Sequence, residues 1–135
     1  MASVAAGGVQ AKPGGLITRE AARDLSSYQY CSMKIDSNGR FDYGDSSNGD
    51  DVVGILQNKP DALGAEAEVA TEGTSIFKAT ATVSIGDKVG SDSNYRAAAV
   101  TADKAIYIGI ALEAAAVTGD LIEVKLLGGV HTISA

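Results

Sequence analysis

The sequence predicts an all-β protein: a small barrel- or sandwich-like domain of short strands, built from two similar halves and preceded by a flexible N-terminal arm. Three observations predict it. The first is an internal echo. At an offset of 55 residues (109 minus 54), Gly54, Gly64 and Gly73 fall on Gly109, Gly119 and Gly128, Ile55 falls on Ile110, and Glu68-Val69 falls on Glu123-Val124. Upstream, with one or two extra residues, Lys34 to Arg40 echoes Lys88 to Arg96. Self-similarity in this order marks a duplicated structural unit. The second is composition. Ala, Gly, Val, Thr and Ile carry the chain, aromatic residues make up 5% and Trp is absent, which suits thin, closely spaced sheets. The third is the recurrence of short apolar segments separated by Gly turns.

The elements follow in order. Residues 1–24 read as the arm and residues 25–135 as the β domain. Ala2 to Gly15 is Ala/Gly-rich with Pro13 and shows no sustained period, as in a mobile segment. Leu16 to Leu25 reads as a short helical turn or as a segment that orders only on a partner. The arm holds Lys12, Arg19 and Arg23 against Glu20 and Asp24; it carries +1 and, the total being -6, leaves -7 for the remainder. That contrast suits either an arm reaching onto an acidic surface or a solvated tail.

From Tyr28 the period shortens to two, giving a strand to Ile35 that ends at the Asp36-Ser37-Asn38-Gly39 turn, where Asn-Gly supplies positive φ. Arg40 to Tyr43 returns as a strand. Gly44 to Asp51 is polar enough to be read as an exposed loop. Val52 to Gln57 is a buried-type strand closed by Asn58-Lys59-Pro60. Ala65 to Thr71 and Ser75 to Val83 follow as strands, with a turn at Glu72-Gly73. Ile85 to Val89 opens the second unit. Tyr95 to Val100 is ambiguous between strand and helical turn, and Ala105 to Glu113 is a strand despite its alanines. Ala114 to Ala116 could add one helical turn before Thr118-Gly119-Asp120 stops it. Leu121 to Leu127 alternates cleanly as a half-buried strand.

Bulk properties narrow the function. At 135 residues the chain is one domain, or one domain with a tail. A net charge of -6 argues against a nucleic-acid groove, which needs clustered Lys and Arg. No apolar stretch approaches the roughly 20 residues of a membrane span. Met1 to Gln10 has neither a basic start nor an apolar core, so no secretory signal is expected. With Cys31 alone no intrachain disulfide can form, and its alternating context reads as a buried, inert thiol. A small-residue domain of this kind has little apolar mass, and self-association would add buried surface.

Catalytic readings find little support. His131 is the only histidine, which disfavours a His-based triad and a zinc site built from several His or Cys ligands. Asp42 to Asp51 invites a calcium site, yet neither Asp42 nor Asp45 as first ligand fills the glycine and terminal glutamate of an EF-hand loop; a solvated acidic loop is the reading. Glu66 and Glu68 share a strand face without an evident acid/base partner. No catalytic residue, metal ligand or cofactor is assigned.

Two family resemblances remain. Val100-Thr101-Ala102-Asp103-Lys104-Ala105 resembles the Asp-Lys-Ala turn of lipoyl carrier domains, and Gly86-Asp87-Lys88-Val89 their Gly-Asp-x-Val turn. The lead-in Thr101-Ala102 departs from that pattern. This resemblance implies Lys104 as an acylated hairpin lysine, and a lipoyl- or biotinyl-like carrier is the alternative reading. The wider resemblance covers Tyr30 to Leu127. It runs through an early alternating strand with an Asp-x-Asn-Gly turn, Val53-Gly54-Ile55-Leu56-Gln57-Asn58-Lys59-Pro60 with Gly64, and Glu68-Val69 with Glu72-Gly73. It continues through Ile85-Gly86-Asp87-Lys88-Val89 and Ile108 to Glu113, ending at Gly119 to Val124. This order resembles the capsid decoration, or cement, proteins of tailed bacteriophages. The resemblance implies a non-enzymatic protein on the outer capsid surface of the virion, binding the major capsid protein as a homotrimer and stabilising its lattice. The arm lies outside the shared pattern. Its composition singles out Leu16, Ile17, Arg19 and Arg23, apolar anchors beside basic groups, as candidate capsid contacts.

Overall fold

The computed structural model describes residues 15–134. The strands are β1 (Leu16–Glu20), β2 (Ser32–Ile35), β3 (Phe41–Tyr43), β4 (Val52–Leu56), β5 (Glu66–Ala70), β6 (Glu72–Lys78), β7 (Lys88–Ser91), β8 (Ala97–Ala99), β9 (Ile106–Ala111) and β10 (Leu121–Thr132). One 3-10 turn, Ser46–Asn48, interrupts them. They form two antiparallel five-stranded sheets, ordered β1-β5-β4-β2-β3 and β6-β10-β9-β7-β8. The all-β class therefore holds. Of the barrel- or sandwich-like forms expected, the closed barrel is not the one formed: the two sheets have β1, β3, β6 and β8 at their edges.

Each half of the chain builds one sheet, and the second order is the first with five added to every label. The likeness extends to register. Ile55 pairs with Ala70 and Leu56 with Val69; 55 residues later Ile110 pairs with Lys125 and Ala111 with Val124. At an offset of 56 (92 minus 36), the turn from Asp36 to Arg40 recurs from Asp92 to Arg96. In each, the Asp carboxylate accepts from the backbone N–H two and four residues on. The sequence echo is thus a repeated set of hydrogen bonds. Gly54 and Gly109 show why one matched pair must be glycine. A Cβ on Gly54 would overlap the Ala70 carbonyl oxygen, and one on Gly109 would stand 2.5 Å from Val124 Cγ1 and 2.7 Å from the Lys125 oxygen.

Two apolar clusters hold the body together. One joins Leu25, Met33, Phe41, Leu56 and Val69 within the first half. The other gathers Phe77, Val89, Ile122 and Val124 of the second half with Val52, Ile55 and Ala70 of the first, so it spans the junction. A polar joint accompanies it. Ser46 N–H donates to Ser91 Oγ and Ser91 N–H donates to Ser46 Oγ, both at 2.8 Å, and both residues are buried. This reciprocal pairing satisfies donors that burial would otherwise leave costly.

Several expectations are corrected. For Leu16 to Leu25 the expectation is a helical turn or a segment ordering only on a partner; Leu16–Glu20 is instead a strand paired along its length with β5, while Ala21 and Leu25 are fully buried. The folded body thus begins before residue 25; the arm expected over residues 1–14 lies outside the described residues. The strand expected from Tyr28 begins only at Ser32, because Tyr30 takes a left-handed conformation with φ 66°. The Glu72-Gly73 turn lies inside β6, which ends at Lys78 rather than Val83. Tyr95 to Val100 resolves into turn and β8, and β10 runs on to Thr132. Ala115 does not extend a helix but bridges Val83. The acidic loop is not simply solvated: Asp42 and Ser46 are buried, and the 3-10 turn packs on the second half.

Candidate functional site

The four residues singled out as contacts separate into two places. Leu16, Ile17 and Arg19 lie on β1, an edge strand whose far side has no neighbouring strand in its sheet among the described residues. Leu16 is 44% and Ile17 39% exposed, and Arg19 is exposed. Edge strands carry unpaired backbone donors and acceptors and are natural docking elements. Opposite them on β5 are Ala70, Val69 and Ala67.

Arg23 belongs to a different cluster. Its Nε and Nη2 donate to Asp42 Oδ1 and Oδ2 at 2.8 and 2.9 Å, and Nη1 donates to the Tyr43 hydroxyl at 2.8 Å. Its guanidinium stands 4.6 Å from the Tyr43 ring centre. The bond to Asp42 holds this arginine even more firmly protonated than usual. Tyr43 stacks on Tyr95 at 4.3 Å, and Tyr28 meets both, at 5.0 and 5.8 Å. Burial, then the neighbouring Tyr43 and Tyr28 and the carboxylates Asp45 and Asp42, push the Tyr95 phenol up and keep it neutral. Tyr95 occupies the turn position that Gly39 fills in the first half, and it accepts φ 63° to do so. Its carbonyl accepts from Ser32 N–H at 2.8 Å, fastening the second half to the first. Sequence reasoning missed this cluster, whose three tyrosines lie 15 to 67 positions apart (43 minus 28; 95 minus 28); the available signal was a bulky Tyr95 where the repeat wants glycine.

The remaining chemistry-bearing residues have structural surroundings. Cys31 is buried and its thiol is pushed up by desolvation, away from thiolate reactivity. Lys104 sits in an exposed turn with φ 67° before β9. That turn links β8 to β9, which are separated in the sheet by β7, so Lys104 is not at the tip of a hairpin of paired strands as a carrier lysine would be. His131 lies on β10 opposite Tyr107, their rings 5.6 Å apart. Among the described residues no group of three His, Cys, Asp or Glu is placed to hold a metal ion. An open cleft of about 240 Å³ lies at the junction, lined by Ser26, Gln29, Tyr30, Lys59, Lys78 and Leu121 among others.

These features describe a body whose polar groups serve its own joints and whose β1 edge is open. Against protein families, residues 31–126 match the model of the phage cement protein family, which is more than half of the chain. The chain belongs to the phage cement protein family. Among curated proteins no match is found. Membership makes this a structural protein associated with the phage capsid rather than one of an enzyme family. The family match begins at Cys31 and so leaves β1 and the Arg23 segment outside it.

Proposed function

We propose that this protein decorates the outer surface of a phage head, binds the major capsid protein there as an oligomer, a homotrimer, and stabilises the capsid lattice. The observation that carries the reading is the cement-family match across residues 31–126. The fold supports it: two sheets locked by a shared core and a buried serine joint make a rigid body suited to bridging subunits. Many copies on one lattice also convert weak single contacts into tenacious binding through avidity. The contact region on this chain is the segment bearing Leu16, Ile17, Arg19 and Arg23, together with residues that precede it. Leu16 and Ile17 offer apolar anchors, and their strand edge offers backbone hydrogen bonds.

Co-sedimentation with purified heads of the phage that encodes the chain tests this. Saturable binding, and heads that withstand heating better when decorated, are the expected results. Deleting residues 1–14 together with Leu16→Asp should abolish binding while leaving the melting curve of the free protein nearly unchanged. Failure of the intact protein to sediment with heads would overturn the reading; full binding by the deleted variant would move the contact elsewhere.

A further inference from the structure

Among the described residues, the junction between the two halves leaves one matching side unfilled on each half. At that junction β4 and its continuation face β6 and β10. Ile55, fully buried, joins the cluster around Phe77 and Val124. Gln57 Nε2 donates to Ser75 Oγ at 2.8 Å, and Lys78 N–H donates to the Tyr30 oxygen at 2.9 Å. Were the halves related by a two-fold axis, β9 would pack on β1 in return. No comparable contact between β9 and β1 occurs among the described residues, and Ile17 stays 39% exposed. The halves therefore meet head to tail, and a heterologous contact of this kind can be repeated between molecules.

The repeat register identifies the residues that would repeat it. Ile17 opposite Val69 recurs as Ser75 opposite Val124, and Arg19 opposite Ala67 recurs as Phe77 opposite Ile122. Ile17 and Arg19 therefore stand where Ser75 and Phe77 receive the first half. On the other side, the offset of 55 carries Ile55 and Gln57 to Ile110 and Leu112. Tyr30 corresponds to Gly86, since Tyr30 N–H donates to the Leu56 oxygen and Gly86 N–H to the Ala111 oxygen. Ile110 is half-buried, Leu112 is 41% exposed, and Ile85 beside Gly86 is 71% exposed. The positions equivalent to the hydrogen-bonded pair Gln57–Ser75 are thus held by two apolar residues, Leu112 and Ile17. Both members of the pair change together from polar to apolar.

We propose that copies of this chain associate head to tail, with Ile17 on β1 of one copy seated against Leu112 and Ile110 of the next. The occupant is a second copy because the surface that fits this position inside the chain is repeated, unused, at its other end. A ring of such chains alternates first and second halves, and a trimer would present six similar units. Within the proposed capsid-contact segment this assigns Ile17 to a neighbouring copy and leaves Leu16 and Arg23 to the head. It needs no capsid, so its failure and the failure of capsid binding are separate results.

Paired cysteines test the geometry, with buried Cys31 as a silent background. A mixture of Ile17→Cys and Leu112→Cys proteins, each folded by circular dichroism, should form a mixed disulfide on mild oxidation while neither variant alone cross-links to itself. Light scattering of the wild type should give a mass above the 13.7 kDa of one chain. Leu112→Asp should weaken association by about tenfold or more, as loss of a central apolar contact does, without lowering the melting temperature of the monomer. Self-cross-linking of Ile17→Cys in place of the mixed product would overturn the head-to-tail arrangement. A wild type that stays monomeric into the millimolar range, with no mixed disulfide between the two cysteine variants, would overturn the association itself.

Discussion

Phe77 and Arg19 occupy the same place in the two halves, and truncating each to alanine separates what the junction contributes from what the strand contributes. Phe77 is fully buried, in the cluster that also holds Val52, Ile55 and Ala70 of the first half. Phe77→Ala removes a large ring from a packed interior and leaves a cavity, which costs about 3–5 kcal/mol. Against a total stability of roughly 5–15 kcal/mol, that is about a fifth or more of what holds the fold. For a chain of this size the melting temperature should fall by about 10–25 °C. Arg19 is exposed on β1 with no fellow half against it, so Arg19→Ala should change the stability of the dilute monomer by less than about 0.5 kcal/mol. Thermal and urea unfolding, followed by circular dichroism at a concentration where scattering reports a monomer, measures both. A Phe77→Ala cost below about 1 kcal/mol, or equal costs for the two variants, would refute a junction filled on one side and open on the other.

Other outcomes follow from the same structure. Gly54→Ala forces a Cβ against the Ala70 carbonyl and should destabilise by about 1–3 kcal/mol; a change under 0.5 kcal/mol in urea unfolding would show that β4 and β5 are not so close. Ser91→Ala leaves the buried Ser46 N–H without its acceptor and should cost about 1–3 kcal/mol, whereas an unchanged midpoint would deny the serine joint. Asp120 and Asp24 are held below the usual carboxylate value, Asp120 by the N–H groups of Ala116 and Val117 and Asp24 by the Ser26 hydroxyl and N–H. Depressed folded values mean that the unfolded chain binds more protons. Their contribution is therefore present above the unfolded value near about 4 and is lost as pH falls through the folded values. Asp120→Asn should flatten the acid limb of stability against pH, and an unaltered limb would remove Asp120 from that role.

The repeat was legible because it is written in residues with few substitutes. Glycines at 54 and 109 answer to a neighbouring strand, and the Asp at 36 and 92 organises a turn by its own side chain, so both survive as identities in the sequence. β1 was not legible. Leu-Ile-Thr-Arg-Glu follows an Ala/Gly stretch and has no alternation of its own, and it becomes a strand only by pairing with Glu66–Ala70, far along the chain. The loop of residues 44–51 misled by composition: its polarity suggested solvent, but Ser46 finds Ser91 and can be buried. The tyrosine cluster was invisible for the same reason, since Tyr95 joins Tyr28 and Tyr43 only when the second half docks on the first. Of the candidate contacts, the sequence could mark exposed apolar and basic residues by type. It could not show that Arg23 is already engaged by Asp42 and Tyr43 while Ile17 is open.

The most direct measurement for the central claim is a cryo-electron microscopy map of heads of the encoding phage, compared with heads stripped of this protein. The expected map has density on the outer surface, at three-fold or quasi-three-fold positions, that fits the two-sheet body and vanishes from stripped heads. Maps that are identical with and without the protein, or density confined to the capsid interior, would contradict it.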